Sequence, residues 1–144
     1  MQNYQILWIN RFRNFSQLLH ELTAAVEASR RGELSSLENQ EVLRIFELTF
    51  DSARYTMADY LKGKQADPVQ GAVETIKKAS DFELIQNVDI WMHMLEDREK
   101  IAGFVDEEAT ALLLSEIARD YHPELLNLEN RFIIIKDNEN INRG

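Results

Sequence analysis

A charged pair interrupts the apolar side of one segment and is the most chemically suggestive feature of this chain. Asp97 and Arg98 lie within WMHMLEDREKI, residues 91–101. At 3.6 residues per helical turn, Arg98 falls on the line of Trp91 and Leu95, and Asp97 falls on the line beside it. A charge that points toward a core is costly unless it is paired, so it is retained as a salt link or because a site needs it. The spacing therefore predicts that both side chains face the core side and form an ion pair or part of a site.

A second set of charges lies beside an aromatic stripe on an earlier segment. Glu47, Asp51 and Arg54 follow one another at helical spacing, next to the stripe of residues 46 and 50. If the two segments pack together, these residues can face the charged pair and form a small polar cluster. The simpler alternative is a solvent-exposed ladder of i,i+3 pairs, which adds only a few tenths of a kcal/mol, about the value of other surface pairs.

Signatures of catalysis and of metal binding are missing from the sequence. There is no glycine-rich phosphate loop, no G-x-S-x-G elbow and no Gly-Ser motif followed by an Asp-x-Asp pair. His93 lies one turn from Glu96 and Asp97, but a di-iron bundle needs two Glu-x-x-His pairs, and His20 and His122 lack that spacing. We therefore predict no catalytic residue and no metal site in this chain.

Amphipathic helices are the elements that must position these charges. Apolar residues at spacings of three and four predict a long first helix over residues 8–26, which ends at Gly32. Ser35 and Glu38 have the spacing of a capping box and begin a second long helix, which ends near Gly63. This helix carries Glu47 and Asp51.

A short third helix is predicted over about residues 68–79. Asp67 supplies the capping acceptor and Pro68 occupies the first helical position, where its missing N–H costs nothing. Residues 80–87 are predicted to form an ordered connection to the helix of the charged pair. Its apolar side chains are expected to be buried: Phe82, Leu84 and Ile85.

The last part of the chain is predicted to be one interrupted helix. Gly103 ends the helix of the charged pair, and Asp106 caps the next one. Pro123 predicts a kink or a one-turn interruption near Tyr121. The apolar run at residues 133–135 needs a covering surface. Because no segment alternates like a strand, the predicted fold is all-α, an antiparallel up-and-down four-helix bundle with one leg split into two shorter helices.

Composition limits the classes of function. The 144 residues, 44% of them hydrophobic, suit one domain over residues 1–136, followed by a polar tail, residues 137–144, that we expect to be disordered. A net charge of −9 disfavours a broad nucleic-acid surface or an anionic membrane surface. The absence of cysteine, of a signal-like start and of a long apolar run favours a soluble cytoplasmic protein without membrane contact.

Three motifs follow one another in a characteristic order. They are FELTFDSARYTMADYL at residues 46–61, the helix start at Pro68, and WMHMLEDREKIAGFVDEEAT from Trp91. Together they resemble the nucleotidyltransferase substrate-binding protein family of the wider HEPN group, whose patterns are close to FEYTFELAWKTLKDYL and WLEMLEDRNLTSHTYDEETA. The resemblance covers about residues 46–114, and the flanking helices match by pattern alone.

This resemblance implies a helical bundle that works with a second protein. Such proteins are usually homodimers that associate with a separate minimal nucleotidyltransferase encoded nearby, which holds the magnesium-binding carboxylates. The bundle is expected to bind substrate, with a nucleotide as one candidate ligand, or to regulate its partner. Many relatives form toxin and antitoxin pairs, in which the HEPN subunit is an RNase that uses an Arg and a His a few residues later.

The chain departs from the RNase motif at one position. The family Arg matches Arg98 and the downstream Asp matches Asp106, but the His position falls on Gly103. Without the imidazole, acid–base cleavage of RNA loses its main proton carrier. Arg54 and Tyr55 also stand where the family commonly has Trp and Lys. The predicted ligand-binding or partner-binding residues, none of them catalytic, are Glu47, Asp51, Asp97, Arg98 and Asp106.

The leading hypothesis is a non-catalytic helical partner of a nucleotidyltransferase. A HEPN-type RNase that recruits another residue in place of the missing His is the first alternative. A structural dimer without ligand, with residues 133–135 in its interface, is the second.

Overall fold

The structure, a computed structural model, describes residues 2–64, 68–103 and 105–143, and side chains within 7–139 of these ranges. Over these ranges it contains helices and connections but no strand, which confirms the all-α prediction. The helices are α1 (Gln2–Arg30), α2 (Ser36–Lys62), α3 (Gly71–Asp81), α4 (Val88–Ile101), α5 (Glu107–Glu116) and α6 (His122–Arg143). A π-helical stretch, Ile117–Tyr121, joins α5 to α6 and is called the π turn below. None of the helices in the described part of the chain combines the length and apolar character needed to cross a bilayer.

The two long helices form where the apolar spacing predicts them. The stripe of α1 is buried from Trp8 to Val26, and Ser35 begins α2 with the predicted capping box. In that box the Ser35 side chain accepts from the Glu38 amide at 3.2 Å, and the Glu38 carboxylate accepts from the Ser35 amide at 3.0 Å. Each side chain thus satisfies an amide that the first helical turn leaves unbonded.

Polar contacts set how α1 lies against its neighbours. Arg11 donates to Asp59 at 2.7 Å, and further along α1 Asn14 donates to Ser52 at 3.2 Å. Later residues of α1 therefore meet earlier residues of α2, so the two helices run in opposite directions. The same order holds between α1 and α6, where Ser16 bonds to Glu129 and Thr23 to His122.

An aromatic cluster closes one end of the core. The ring of Trp8 lies 5.3 Å from that of Phe132 and 5.4 Å from that of Tyr60, measured between ring centroids. Phe12 packs on the same Phe132 ring at 5.6 Å. Helices α1, α2 and α6 thus share one apolar centre, as amphipathic stripes require.

Two local predictions differ from the structure. Helix α3 begins at Gly71, three residues after Pro68, because the Glu74 carboxylate bonds the Gln70 amide and fixes the first turn there. Asp67, the predicted cap, lies outside the described residues. Phe82 is exposed, whereas its neighbours Leu84 and Ile85 are buried as predicted. Phe82 follows the last residue of α3, where the chain turns outward before those two side chains enter the core.

The end of the chain is helical for longer than its polar composition suggests. Helix α6 continues through the expected disordered tail as far as Arg143. Within the apolar run, Ile135 is buried while Ile133 and Ile134 remain about two-fifths exposed, at 42% and 43%. The division into one domain over residues 1–136 and a tail stays a prediction.

The π turn is the predicted interruption near Tyr121, and Pro123 leaves one of its carbonyls without a backbone donor. The His122 amide bonds to the Ile117 carbonyl five residues earlier, as in a π-helix. In this register the Ala118 carbonyl would pair with the amide of residue 123, which proline lacks. The Arg30 side chain fills that place, because its Nη2 donates to the Ala118 carbonyl at 2.9 Å.

A double-mutant cycle can test whether the Arg30 side chain takes the place of the missing backbone donor. Arg30→Met should lower the free energy of unfolding by about 1 kcal/mol, the usual value of one hydrogen bond. In a Pro123→Ala background the restored amide can bond to the helix, so the same Arg30→Met change should cost less. Urea unfolding of the four proteins measures both costs, and equal costs in the two backgrounds would contradict this account.

Candidate functional site

Arg98 joins α4 to the two carboxylates of α2. Its Nε and Nη2 each donate to one oxygen of Asp51 at 2.9 Å, and its Nη1 lies 3.1 Å from Glu47. Glu47 and Asp51 are one helical turn apart, so α2 presents both to the same guanidinium. The polar cluster expected between the two segments is therefore present, with Arg98 at its centre.

The bonding of Arg98 leaves little of it free for another molecule. The parallel bonds to Asp51 are the fork geometry in which an Arg–carboxylate pair is strongest. These bonds raise the pKa of Arg98 above its ordinary value, although partial burial opposes them. The Arg98 side chain is only 21% exposed, and all three of its nitrogens face carboxylates of α2.

The exposed ladder that we considered as the alternative is not formed. Asp51 pairs with Arg98 across the helix interface instead of pairing with Arg54 on its own helix. Arg54 folds over the adjacent Tyr55, with its guanidinium carbon 4.5 Å from the ring centre and Nη2 2.7 Å from the hydroxyl.

Asp97 belongs to a different cluster on another side of α4. Its buried carboxylate accepts a hydrogen bond from the Tyr121 hydroxyl, and Lys100 lies 3.4 Å away. The same hydroxyl is 3.1 Å from the Glu116 carboxylate. Consecutive residues of a helix point about 100° apart, so Asp97 and Arg98 reach different neighbours instead of one site.

The π turn explains how Glu116 and Tyr121 meet. They are five residues apart, a spacing that an ordinary α-helix places on different faces and that an i→i+5 register brings together. The sequence prediction assigned Tyr121 to the core stripe and did not identify Glu116 or Lys100. The only signal was Pro123, which predicts an interruption but not its hydrogen-bond register.

The comparison with protein families agrees with the motifs and the helical fold. The family model described as "nucleotidyltransferase substrate binding protein like" matches residues 10–133. This chain belongs to that family. The matched region contains both clusters, Arg98 with its carboxylates and Asp97 with Tyr121. No curated protein matches the chain.

In this family member, the pKa values of the two carboxyl groups around the Tyr121 hydroxyl are shifted in opposite directions. Burial raises the pKa of Asp97, but hydrogen bonds with Glu116, Tyr121 and Lys100 outweigh it, so the pKa lies below its ordinary value. The hydrogen bond with Asp97 and burial both raise the pKa of Glu116. Burial and the bond to Asp97 raise the pKa of Tyr121, which keeps its hydroxyl protonated as a donor.

A polar cleft of about 270 Å³ opens beside this second cluster. Its walls carry charges of both signs, including Lys100, Arg119 and Asp120, beside the imidazole of His93. Such a mixed lining suits a polar ligand with separated charges better than an apolar one. Among the residues that the structure describes, no group of three or more His, Asp or Glu side chains is arranged to hold a metal ion.

Asp106, the remaining predicted site residue, has a structural position. Its carboxylate accepts from the Ala109 amide at 2.8 Å and caps α5, as the sequence predicts. Gly103, at the position of the family His, is not required by packing, because an added Cβ would meet only the Lys100 carbonyl, at 3.7 Å. The missing His is therefore a difference in chemistry that the backbone does not impose.

The capping role of Asp106 can be separated from a ligand-binding role by two substitutions. Asp106→Ala removes the acceptor and should lower the free energy of unfolding by about 1 kcal/mol, whereas Asp106→Asn, which keeps an acceptor, should cost only a few tenths. Denaturant unfolding measures both. Equal losses for the two variants would show that the charge, and not the cap, is what matters.

The raised pKa of Glu116 predicts how stability depends on pH. A raised pKa for Glu116 means that its contribution is present below the ordinary Glu pKa and is lost as pH rises through the raised value. Glu116→Gln mimics the protonated form, so this variant should unfold at a higher temperature than the wild type at pH 7. The difference should disappear below about pH 4, where Glu116 is protonated in both folded and unfolded chains.

Glu96→Gln is the matched control, because Glu96 lines the same cleft but is exposed. Thermal unfolding from pH 3 to pH 8 compares the three proteins. If the unfolding temperature of Glu116→Gln followed that of the wild type at every pH, the ionisation of Glu116 would have no effect on folding.

Proposed function

We propose that this chain is a non-catalytic subunit that binds substrate for, or regulates, a separate minimal nucleotidyltransferase. Membership of the nucleotidyltransferase substrate-binding family supports the link to such an enzyme. The observation that carries the non-catalytic part is the state of Arg98, which is bound to Asp51 and Glu47 while Gly103 replaces the motif histidine.

The fork at Arg98 argues against the RNase alternative. An RNase of the Arg–His type needs the guanidinium to meet a phosphate and the imidazole to move a proton. Here two carboxylates surround the guanidinium, so a phosphate would meet a cluster with one positive and two negative groups. His93, the nearest histidine in sequence, lines the cleft of Asp97 on another side of α4.

The proposal includes an architecture and a set of partners. The opposed directions of α1 and α2, and of α1 and α6, support an antiparallel four-helix bundle in which α3 and α4 form one leg. The proposal also includes a homodimer of this chain and a cytoplasmic location. This chain would hold no cofactor of its own, while the partner holds magnesium.

The cleft beside Asp97 is the best candidate for contact with substrate. It is polar, it has about the volume of a small ligand, and its donors and acceptors are already oriented by Tyr121 and Glu116. A nucleotide is one ligand with the required separated charges. We include a toxin–antitoxin system as one biological role for the pair that this chain forms with the nucleotidyltransferase.

A reconstitution with the nucleotidyltransferase encoded nearest to this chain tests the proposal. The two proteins should co-purify as a complex, and the chain alone should show neither nucleotidyl transfer nor cleavage of RNA. The RNA assay includes Arg98→Ala as its control. Cleavage by the wild type that is lost in Arg98→Ala would establish the RNase alternative, and failure to form a complex would overturn the partner role.

A further inference from the structure

One exposed face of α2 carries an aromatic ring held between two guanidinium groups. The Arg54 guanidinium carbon lies 4.5 Å from the centre of the Tyr55 ring, and that of Arg11 on α1 lies 5.3 Å from it. Arg54 also bonds to the Tyr55 hydroxyl at 2.7 Å, and Arg11 is fixed by Asp59 at 2.7 Å. The ring is thus ordered by its neighbours although it is 43% exposed.

Apolar side chains extend this face in both directions. Leu48, two turns before Tyr55 on the same line of α2, is 43% exposed, and Leu7, one turn before Arg11 on α1, is 40% exposed. Arg44 continues the line of α2 beyond Leu48. We call these residues the Tyr55 surface: Leu7, Arg11, Arg44, Leu48, Arg54 and Tyr55.

The charge of this surface differs from that of the whole chain. The protein carries a net charge of −9, yet Arg44 and Arg54 form no ion pair with any residue that the structure describes. Asp51 and Asp59 lie on the same side of α2 but are bonded to Arg98 and Arg11, and Glu41 lies one turn before Arg44. Arg44 and Arg54 are therefore the arginines of this surface that no carboxylate contacts among the described residues. Tyr and Arg beside apolar side chains are the residues that most often dominate the binding energy of protein interfaces.

We propose that the Tyr55 surface binds the nucleotidyltransferase subunit, through a region of that subunit that presents carboxylates around an apolar hollow for Tyr55. This inference rests on the proposed function and assigns its interface. A second copy of the chain is a poorer fit, because Asp51 and Asp59, which lie on the same side of α2, are already bonded to Arg98 and Arg11 and are not free to neutralise Arg44 and Arg54 across a two-fold contact. An acidic partner instead neutralises Arg44 and Arg54 as it covers Leu48 and the ring.

Preorganisation strengthens the case for a protein partner. Ordering a flexible side chain on binding costs about 0.5–1.5 kcal/mol, and Tyr55 is already held in place by Arg11 and Arg54. Only Nη2 of Arg54 is bonded to a side chain among the described residues, so its other guanidinium N–H groups can donate to a partner.

Titration of the full chain with the nucleotidyltransferase encoded nearest to it tests the assignment. Tyr55→Ala and Arg54→Glu should each weaken the Kd at least about tenfold, as expected for central interface residues. Arg44→Ala should have a smaller effect on the Kd and should reduce the dependence of association on salt. Thermal unfolding should show that each variant remains folded, because all three side chains lie at the surface.

Matched controls come from other parts of the chain. Phe82→Ala removes an exposed aromatic side chain. Arg31→Glu reverses an exposed charge directly after the end of α1, about 20 residues beyond Arg11, which is roughly 30 Å at the helical rise. Both should change the Kd by no more than about twofold, the range of residues outside the centre of an interface.

The outcomes separate this inference from the proposed function. If the wild type binds the nucleotidyltransferase and the Tyr55 and Arg54 variants bind equally well, the interface assignment is wrong and the proposed function stands. If the wild type binds no nucleotidyltransferase, both fail. If the variants keep that binding but lose a dimer in sedimentation, or lose a labelled single-stranded RNA in anisotropy, the surface belongs to a second copy or to RNA, and the assignment is again overturned.

Discussion

Two consecutive charged residues tie α4 to the helices on either side of it. Arg98 forms a two-bond fork with Asp51 of α2, and Asp97 accepts from Tyr121 of the π turn. Because both contacts are made within one helical turn, the rotation of α4 about its axis is fixed from two directions. Trp91, one and a half to two turns earlier, is thereby directed into the core, where it is fully buried against Phe50.

The contact at Tyr121 depends in turn on the π turn. Directly before Pro123 the chain adopts a π register, which places Glu116 and Tyr121 on one side. Arg30 compensates the unpaired carbonyl from a helix distant in sequence. A polar cluster next to α4 is therefore built by a backbone irregularity, which agrees with the frequent occurrence of π turns at functional sites.

Local signals account for most of what the sequence predicts correctly. The capping box at Ser35, the cap at Asp106 and the buried stripes depend on residues within a few positions of one another, and each is present. These features follow from helix geometry alone. The pairing of Arg98 with the carboxylates of α2 was one of two alternatives, since the same helical spacing also allowed an exposed ladder of i,i+3 pairs.

Other features depend on which helices become neighbours, and periodicity does not contain that information. Asp97 and Arg98 were expected to share one site, but the choice between α2 and the π turn as partner arises only from packing. The meeting of Glu116 with Tyr121 requires a register that Pro123 permits but does not dictate. The start of α3 at Gly71 depends on the Glu74 carboxylate, which competes with the stronger sequence signal of Pro68.

The contacts of Arg98 are those of a residue that joins two helices. An arginine that serves a phosphate must keep donors exposed, whereas Arg98 directs its three nitrogens at carboxylates and is largely covered. Its pairing with Asp51 and Glu47 stabilises the contact between α4 and α2. Helix α2 itself carries Arg44 and Arg54. Neither forms an ion pair with a described residue, and both lie on the Tyr55 surface.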